Sequence, residues 1–205
     1  MKYLFIIIFS TLIIACGSKV INLDVDLEEK EEFIYKKGTK EKFTGTAFRY
    51  DKKTKKKIGK YQLINGLFSG PTTYWYPSGK KKGQVSFVKG KREGKEVQWY
   101  EDGKKKGEAD VVNGKVHGKF IRWFKNGKKH QEIYFVEGKA HGKSMQWYEN
   151  EKQEFIKTYK SGTIESEEHW NKDGSEKKIK PKEKSDEAVK KGSGDNFILK
   201  DMEIK

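Results

Sequence analysis

Few residues in this chain combine a type and a spacing that could do chemistry. The stretch Gly138-Lys-Ala-His-Gly142-Lys143-Ser144 looks superficially like a phosphate-binding loop, in which backbone amides and a lysine cradle phosphate. It is one residue short, however, and it leads into a strand pattern rather than a helix. The same slot reads Gly114-Lys-Val-His-Gly118-Lys119-Phe120 one unit earlier, which marks it as a repeated turn. His117 and His141 hold equivalent turn positions, so they should lie about 10 Å apart along a sheet, whereas the ligands of one zinc lie about 2 Å from the metal. His130 and His169 have no accompanying nucleophile motif. Cys16 is the sole cysteine, leaving no thiol pair for a disulfide or a zinc cluster. The expectation is therefore no enzyme, no metal and no cofactor. What does recur is charge: Lys80, Lys81 and Lys82, then Lys104, Lys105 and Lys106, then Lys128 and Lys129 with His130. They belong to a chain of formal charge +15, with 45 Lys and Arg against 30 Asp and Glu.

The elements that must position these lysines are set by a repeat. Gly70, Gly94, Gly118 and Gly142 recur every 24 residues, and Trp75, Trp99, Trp123 and Trp147 keep the same step. A second glycine series is Gly66, Gly90, Gly114, Gly138 and Gly162, and a third is Gly79, Gly103 and Gly127. Such self-similarity is the mark of a tandem array. Within a unit, two short alternating runs are separated by glycine turns, which reads as strand, turn, strand, turn. A helix is a poor alternative, because each interior glycine would cost about 1 kcal/mol. Asp102-Gly103 and Asn126-Gly127 are dipeptides that accept the positive φ of a tight hairpin turn, Pro77-Ser78-Gly79 fills the same slot, and Asn150-Glu151 breaks the pattern.

Period-two alternation then assigns faces. The expected core face carries Thr73 with Trp75, Val97 with Trp99, Ile121 with Trp123 and Met145 with Trp147. The returning strands add Val85 with Phe87, Ala109 with Val111 and Ile133 with Phe135. On that expectation, truncating Trp123 to alanine costs about 3 to 5 kcal/mol. The opposite, half-solvated face carries an aromatic ladder of Tyr76, Tyr100, Phe124 and Tyr148 amid Glu96, Gln98, Arg122 and Gln146.

The pattern Gly118-x-x-x-x-Trp123-Phe124-x-x-Gly127-Lys128, then six residues, then Phe135-x-x-Gly138-x-x-His141-Gly142, resembles the bacterial variant of the MORN repeat, seen in proteins often labelled as antitoxin components. The resemblance covers roughly Phe43 to Gly174. It departs at the first unit, which has an extra residue and Tyr50 in the tryptophan slot, and at the last, where Trp170 arrives one residue early. It implies an all-β fold of tandem antiparallel β-hairpins forming an elongated single-layer sheet, and it implies little about activity.

The start of the chain reads as a targeting segment. Lys2 precedes an apolar run from Leu4 to Ile14 that is shorter than the roughly 20 residues a membrane-spanning helix needs. Ile13-Ile14-Ala15-Cys16 looks like a bacterial lipobox, in which the cysteine is acylated and becomes the mature N-terminus. Lipidated Cys16 would anchor the protein to a membrane of the bacterial cell envelope, facing away from the cytoplasm. Gly17 and Ser18 lack the aspartate of an inner-membrane retention signal, which favours the outer membrane where the source has one.

The expected organisation is a lipoprotein signal peptide over 1–15, an anchor, tether and capping strands over 16–42, the array over 43–174, and a disordered charged tail over 175–205. In the second of these, Ile21, Leu23, Val25 and Leu27 alternate with polar residues as a strand, and Phe33-Ile34-Tyr35 returns. Stacked units would align the lysine triplets as a basic stripe along one edge. That stripe and the aromatic ladder are the candidate contact surfaces for a protein partner, an anionic lipid or an anionic envelope polymer. Basic stretches interleaved with aromatics also suit nucleic acid, but the export signal argues against it. The chain thus reads as a membrane-anchored, non-catalytic binding scaffold, with an antitoxin or immunity-type protein that neutralises a toxin as the alternative.

Overall fold

A computed structural model describes residues 20–178; the lipobox with Cys16 and most of the charged tail lie outside the described residues. The elements run β1 (Ile21–Asn22), α1 (Leu23–Asp26), β2 (Leu27–Lys30), β3 (Phe33–Lys36), β4 (Gly45–Tyr50), β5 (Lys57–Ile64), β6 (Leu67–Phe68), β7 (Gly70–Trp75) and β8 (Lys81–Val88). They continue as β9 (Lys91–Trp99), β10 (Lys105–Val112), β11 (Lys115–Trp123), β12 (Lys129–Val136), β13 (Lys139–Trp147), β14 (Gln153–Lys160) and β15 (Thr163–His169). From β4 onward the strands pair in chain order, each antiparallel to the next, with β6 branching off β5. β1 adds to β4 in parallel, and β1 and β15 stand at opposite ends of the order, so the sheet is open rather than a barrel. This is the all-β array of tandem antiparallel hairpins that the repeat predicts.

The three glycine series have three different jobs, only one of which is a two-residue turn. At the second series, Asn113 (φ 50°) and Gly114 (φ 83°) form a two-residue turn with both residues left-handed, a geometry that matches the twist of the flanking strands. The Gly114 amide also donates to the Arg92 carbonyl at 2.8 Å, stitching the turn to the preceding hairpin, and Gly138 does the same to Val116. At the third series only the glycine is left-handed: Gly103 (φ 92°) follows a turn closed by its own amide on the Tyr100 carbonyl at 2.9 Å. Asp102 and Asn126 therefore do not take the positive φ expected of them; their side chains instead accept the amides of Lys104 and Lys128 at 3.0 and 2.9 Å. The first series sits mid-strand, where Gly118 (φ 104°) occupies an irregularity between β10 and β11. A bulge of this kind bends the strand and resets its pairing.

That resetting overturns half of the expected core. Ala109 pairs with Glu96 on one side and Phe120 on the other, and Phe120 pairs with Ile133. Val97 and Ile121 instead oppose Glu108, and Ile121 and Met145 oppose Glu132. The buried face thus holds Val85, Phe87, Ala109, Val111, Val116, Phe120, Phe135 and Ala140 together with Thr72, Glu96, Gln98 and Ser144. Val97, Trp99, Ile121 and Trp123 lie on the other face, half-buried. A one-residue change of register moves a whole strand to the opposite face, and alternation within a strand does not reveal it.

On the buried face rings pack against rings. Tyr61 meets Tyr74 edge-on at 5.7 Å, Phe68 packs on Phe87 at 5.5 Å, and Phe120 meets Phe135 edge-on at 6.1 Å. The amino-terminal end is covered by the β2–β3 hairpin, whose Leu27 and Ile34 join Phe43 in the core. The strand expected from Ile21 to Leu27 is interrupted by α1, because the Asn22 side chain accepts the Asp24 amide at 3.0 Å and caps a helical turn.

Candidate functional site

The proposed contact residues are best followed from the hairpin turns outward. Each tyrosine of the ladder reaches the next unit: the Tyr76, Tyr100 and Tyr148 hydroxyls donate to the carbonyls of Trp99, Trp123 and Trp170 at 2.8, 2.8 and 2.9 Å. All three are half-buried, and burial pushes the Tyr100 hydroxyl above its ordinary range. Phe124 has no hydroxyl to offer and stacks on His130 at 4.2 Å. Burial first, then the Arg122 guanidinium, holds His130 below its usual value. The three tyrosines of the ladder are therefore unit-to-unit staples with half-buried rings, and Phe124 is the exception.

The lysine triplets do not form one stripe, because consecutive strand residues point to opposite faces. Lys81, Lys105 and Lys129 lie over the indoles of Trp99, Trp123 and Trp147 at 5.1, 5.7 and 5.4 Å, on the tryptophan face. Lys105 and Lys129 also pair with Glu108 and Glu132 at 2.8 and 2.7 Å. Lys82 turns to the other face, over the Tyr76 ring at 5.9 Å, and Lys106 is half-buried at the equivalent position. Lys80 and Lys104 are exposed in the turns, and Lys128 pairs with Glu151 at 2.9 Å.

The opposite end of the hairpins, at the two-residue turns, carries a row that the repeat contained and the sequence reading passed over. Ile64, Val88, Val112 and Val136 are 55, 54, 43 and 38 % exposed, each one repeat from the next. The last three are paired across the turn with Lys91, Lys115 and Lys139, all exposed. Opposed residues share a face, so aliphatic side chains and ammonium groups alternate along this rim. The sequence signal was the 24-residue step of Val88, Val112 and Val136.

Two other features interrupt the buried face. Arg92 is 7 % exposed and holds the fully buried Glu96 carboxylate at 3.1 Å while donating to the Gly114 carbonyl at 2.6 Å. Burial pushes the Glu96 carboxyl up, and Arg92 pulls against it. Two adjoining cavities share a Tyr61 and Phe68 wall: one of about 280 Å³ lies against the cap, and one of about 310 Å³ runs on over the following hairpins to Arg92 and Gly114.

Among the described residues no cluster of three or more His, Cys, Asp or Glu could hold a metal ion, and no helix is long and apolar enough to cross a membrane. In the segment from Gly138 to Ser144, Gly138 closes a turn and Lys139 to Ser144 already belong to β13, so it is the repeated turn and strand that its repeat position implies. No curated protein matches the chain. Residues 69–89, 92–113 and 116–137 each match the family model described as the MORN repeat variant, so the centre of this sheet is similar to three consecutive repeats of that kind.

Proposed function

We propose that this protein is a membrane-anchored binding scaffold that tethers itself through a lipidated Cys16 and lays its two-residue-turn rim on anionic lipid headgroups of the bacterial envelope. The observation that carries this is the rim itself, where Ile64, Val88, Val112 and Val136 stand exposed beside Lys91, Lys115 and Lys139. Monomeric soluble proteins seldom line up exposed aliphatics without a surface to meet. Aliphatic groups at that depth enter the headgroup boundary while lysine stems keep their charge in water, and each lysine near an anionic membrane contributes about 1 kcal/mol. The MORN-variant match supports a protein- or lipid-binding role in general terms. Export through the lipobox would bring the rim to a membrane, and two signals, acyl chains plus a basic patch, anchor more firmly than one.

The test is co-sedimentation of residues 17–205, without lipid, with neutral and anionic vesicles across a salt series. Binding is expected to anionic vesicles only and to fall with salt. Reversing Lys91, Lys115 and Lys139 to glutamate should abolish it, whereas Lys80→Gln with Lys104→Gln should weaken it far less. Absence of binding at low salt would overturn the lipid reading and turn the search to a protein partner, including the toxin that an immunity-type role requires.

A further inference from the structure

β15 ends the sheet, and six of its seven residues are exposed. From Thr163 to Glu168 its outer side has no strand paired to it among the described residues, an edge of the kind that invites pairing with another chain. We propose that this edge is a strand-docking site and that its occupant is the chain's own segment from Glu176 to Lys182.

The described residues show the docking begin. The turn after β15 has the form of the earlier ones: Asn171 donates to the Ser175 carbonyl at 2.8 Å and Gly174 to the Asn171 carbonyl at 2.8 Å, as Tyr100 does to Lys104 and Gly103 to Tyr100. Beyond it Trp170 bridges Glu176, the equivalent of the Trp147 to Gln153 pair, and the Lys177 amide donates to the His169 carbonyl at 2.8 Å. After the Trp147 pair the register shifts by one, to Gln146 opposite Phe155 and Ser144 opposite Lys157. The same shift carried past Trp170 sets His169 opposite Lys178, Glu167 opposite Lys180, Ser166 opposite Pro181 and Glu165 opposite Lys182.

Two independent consequences of that register fit. Glu165 and Glu167 would face Lys182 and Lys180, and opposite charges across a strand pair are favourable. The proline also falls where a proline is permitted. Because the His169 carbonyl points outward, the backbone groups of Glu167 and Glu165 do so too, and these are met by Lys180 and Lys182. Pro181, opposite Ser166, needs no amide hydrogen toward β15, and its ring on the outer side would stop any further strand from adding. A shift of one residue would put Pro181 opposite a bonding position and bring Lys180 and Lys182 out of line with the glutamates.

Amide hydrogen exchange of the full chain tests this, against the chain truncated after Lys178 and against Lys180→Pro. The Glu165 and Glu167 amides should exchange at least about tenfold more slowly in the full chain than in either variant, while β11 amides stay unchanged and report an intact array. Pro181→Lys should keep the protection. Equal exchange of Glu165 and Glu167 in full and truncated chains would overturn the proposal, as would protection that rises with protein concentration, which would assign the edge to a second copy.

Discussion

At the scale of single residues, the array shows where a repeat tolerates a misfit. The slot held by Gly79, Gly103, Gly127 and Gly174 in other units is Glu151, which adopts a φ of 69°. A left-handed conformation costs a residue with a side chain roughly 1–2 kcal/mol. What Glu151 gives in return is an ion pair with Lys128 at 2.9 Å, its own side chain 67 % exposed. Exposed pairs of this kind are worth about 0.2–1 kcal/mol. Glu151→Gly removes more strain than attraction even after the added freedom of glycine in the unfolded chain, so its melting temperature should be equal to or above that of the parent. A clear fall would mean that the ion pair outweighs the strain. The sequence announced this site, since Asn150-Glu151 stood out as the one broken turn. It did not announce that the equivalent aspartate and asparagine keep ordinary backbone and use their side chains as acceptors, because Asp-Gly and Asn-Gly favour more than one turn geometry.

At the scale of strands and hairpins, which face is buried is decided by pairing between neighbours. Phe120 is 3 % exposed, whereas Trp123 lies on the half-open face beneath Lys105. Phe120→Ala should therefore cost about 3–5 kcal/mol, and Trp123→Ala should cost less. Denaturant midpoints of the two variants check the order, and the reverse order would restore the tryptophan face as the core. The hairpins, their count and the apolar returning strands were legible because glycine and tryptophan recur at a fixed step. The face of the outgoing strand was not, because Val97 and Trp99 look more like core than Glu96 and Gln98 do, and only the Gly118-type irregularity reveals the inversion. Glu96 and Arg92 stand where the next unit has Phe120 and Val116. Replacing a buried ion pair by packed apolar groups is often neutral or stabilising, while removing one partner alone costs about 3–5 kcal/mol. The double variant Arg92→Val with Glu96→Phe should keep or raise the denaturation midpoint, and Arg92→Val alone should lower it sharply. If the double variant fell as far as the single one, the pair would be doing more than filling space.

At the scale of the whole molecule, the repeat makes length a variable that can be changed without changing the fold. Each unit contributes two strands, so removing residues 92–115 leaves Lys91 joined to Val116 with strand direction and register conserved. The seam would set Phe68 and Phe87 beside Val116 and Phe120, all apolar. Stability in such arrays is approximately a sum of unit and nearest-neighbour terms, so the shortened chain should fold with a lower midpoint and still melt cooperatively. Its sheet should be shorter by about 10 Å, two strands at roughly 4.8 Å each, which small-angle scattering can read. The rim would lose Lys115 and Val112 and keep Lys91, Lys139, Val88 and Val136. If the rim meets an anionic membrane, its affinity should drop by at least about tenfold, since one lysine near the surface contributes about 1 kcal/mol and one buried aliphatic adds to that. The salt dependence should also become shallower in proportion to the lysines removed. A folded, shortened array whose vesicle binding and salt slope matched the parent would show that contact is made at one end of the sheet, by the cap or the last strand, and not along the rim.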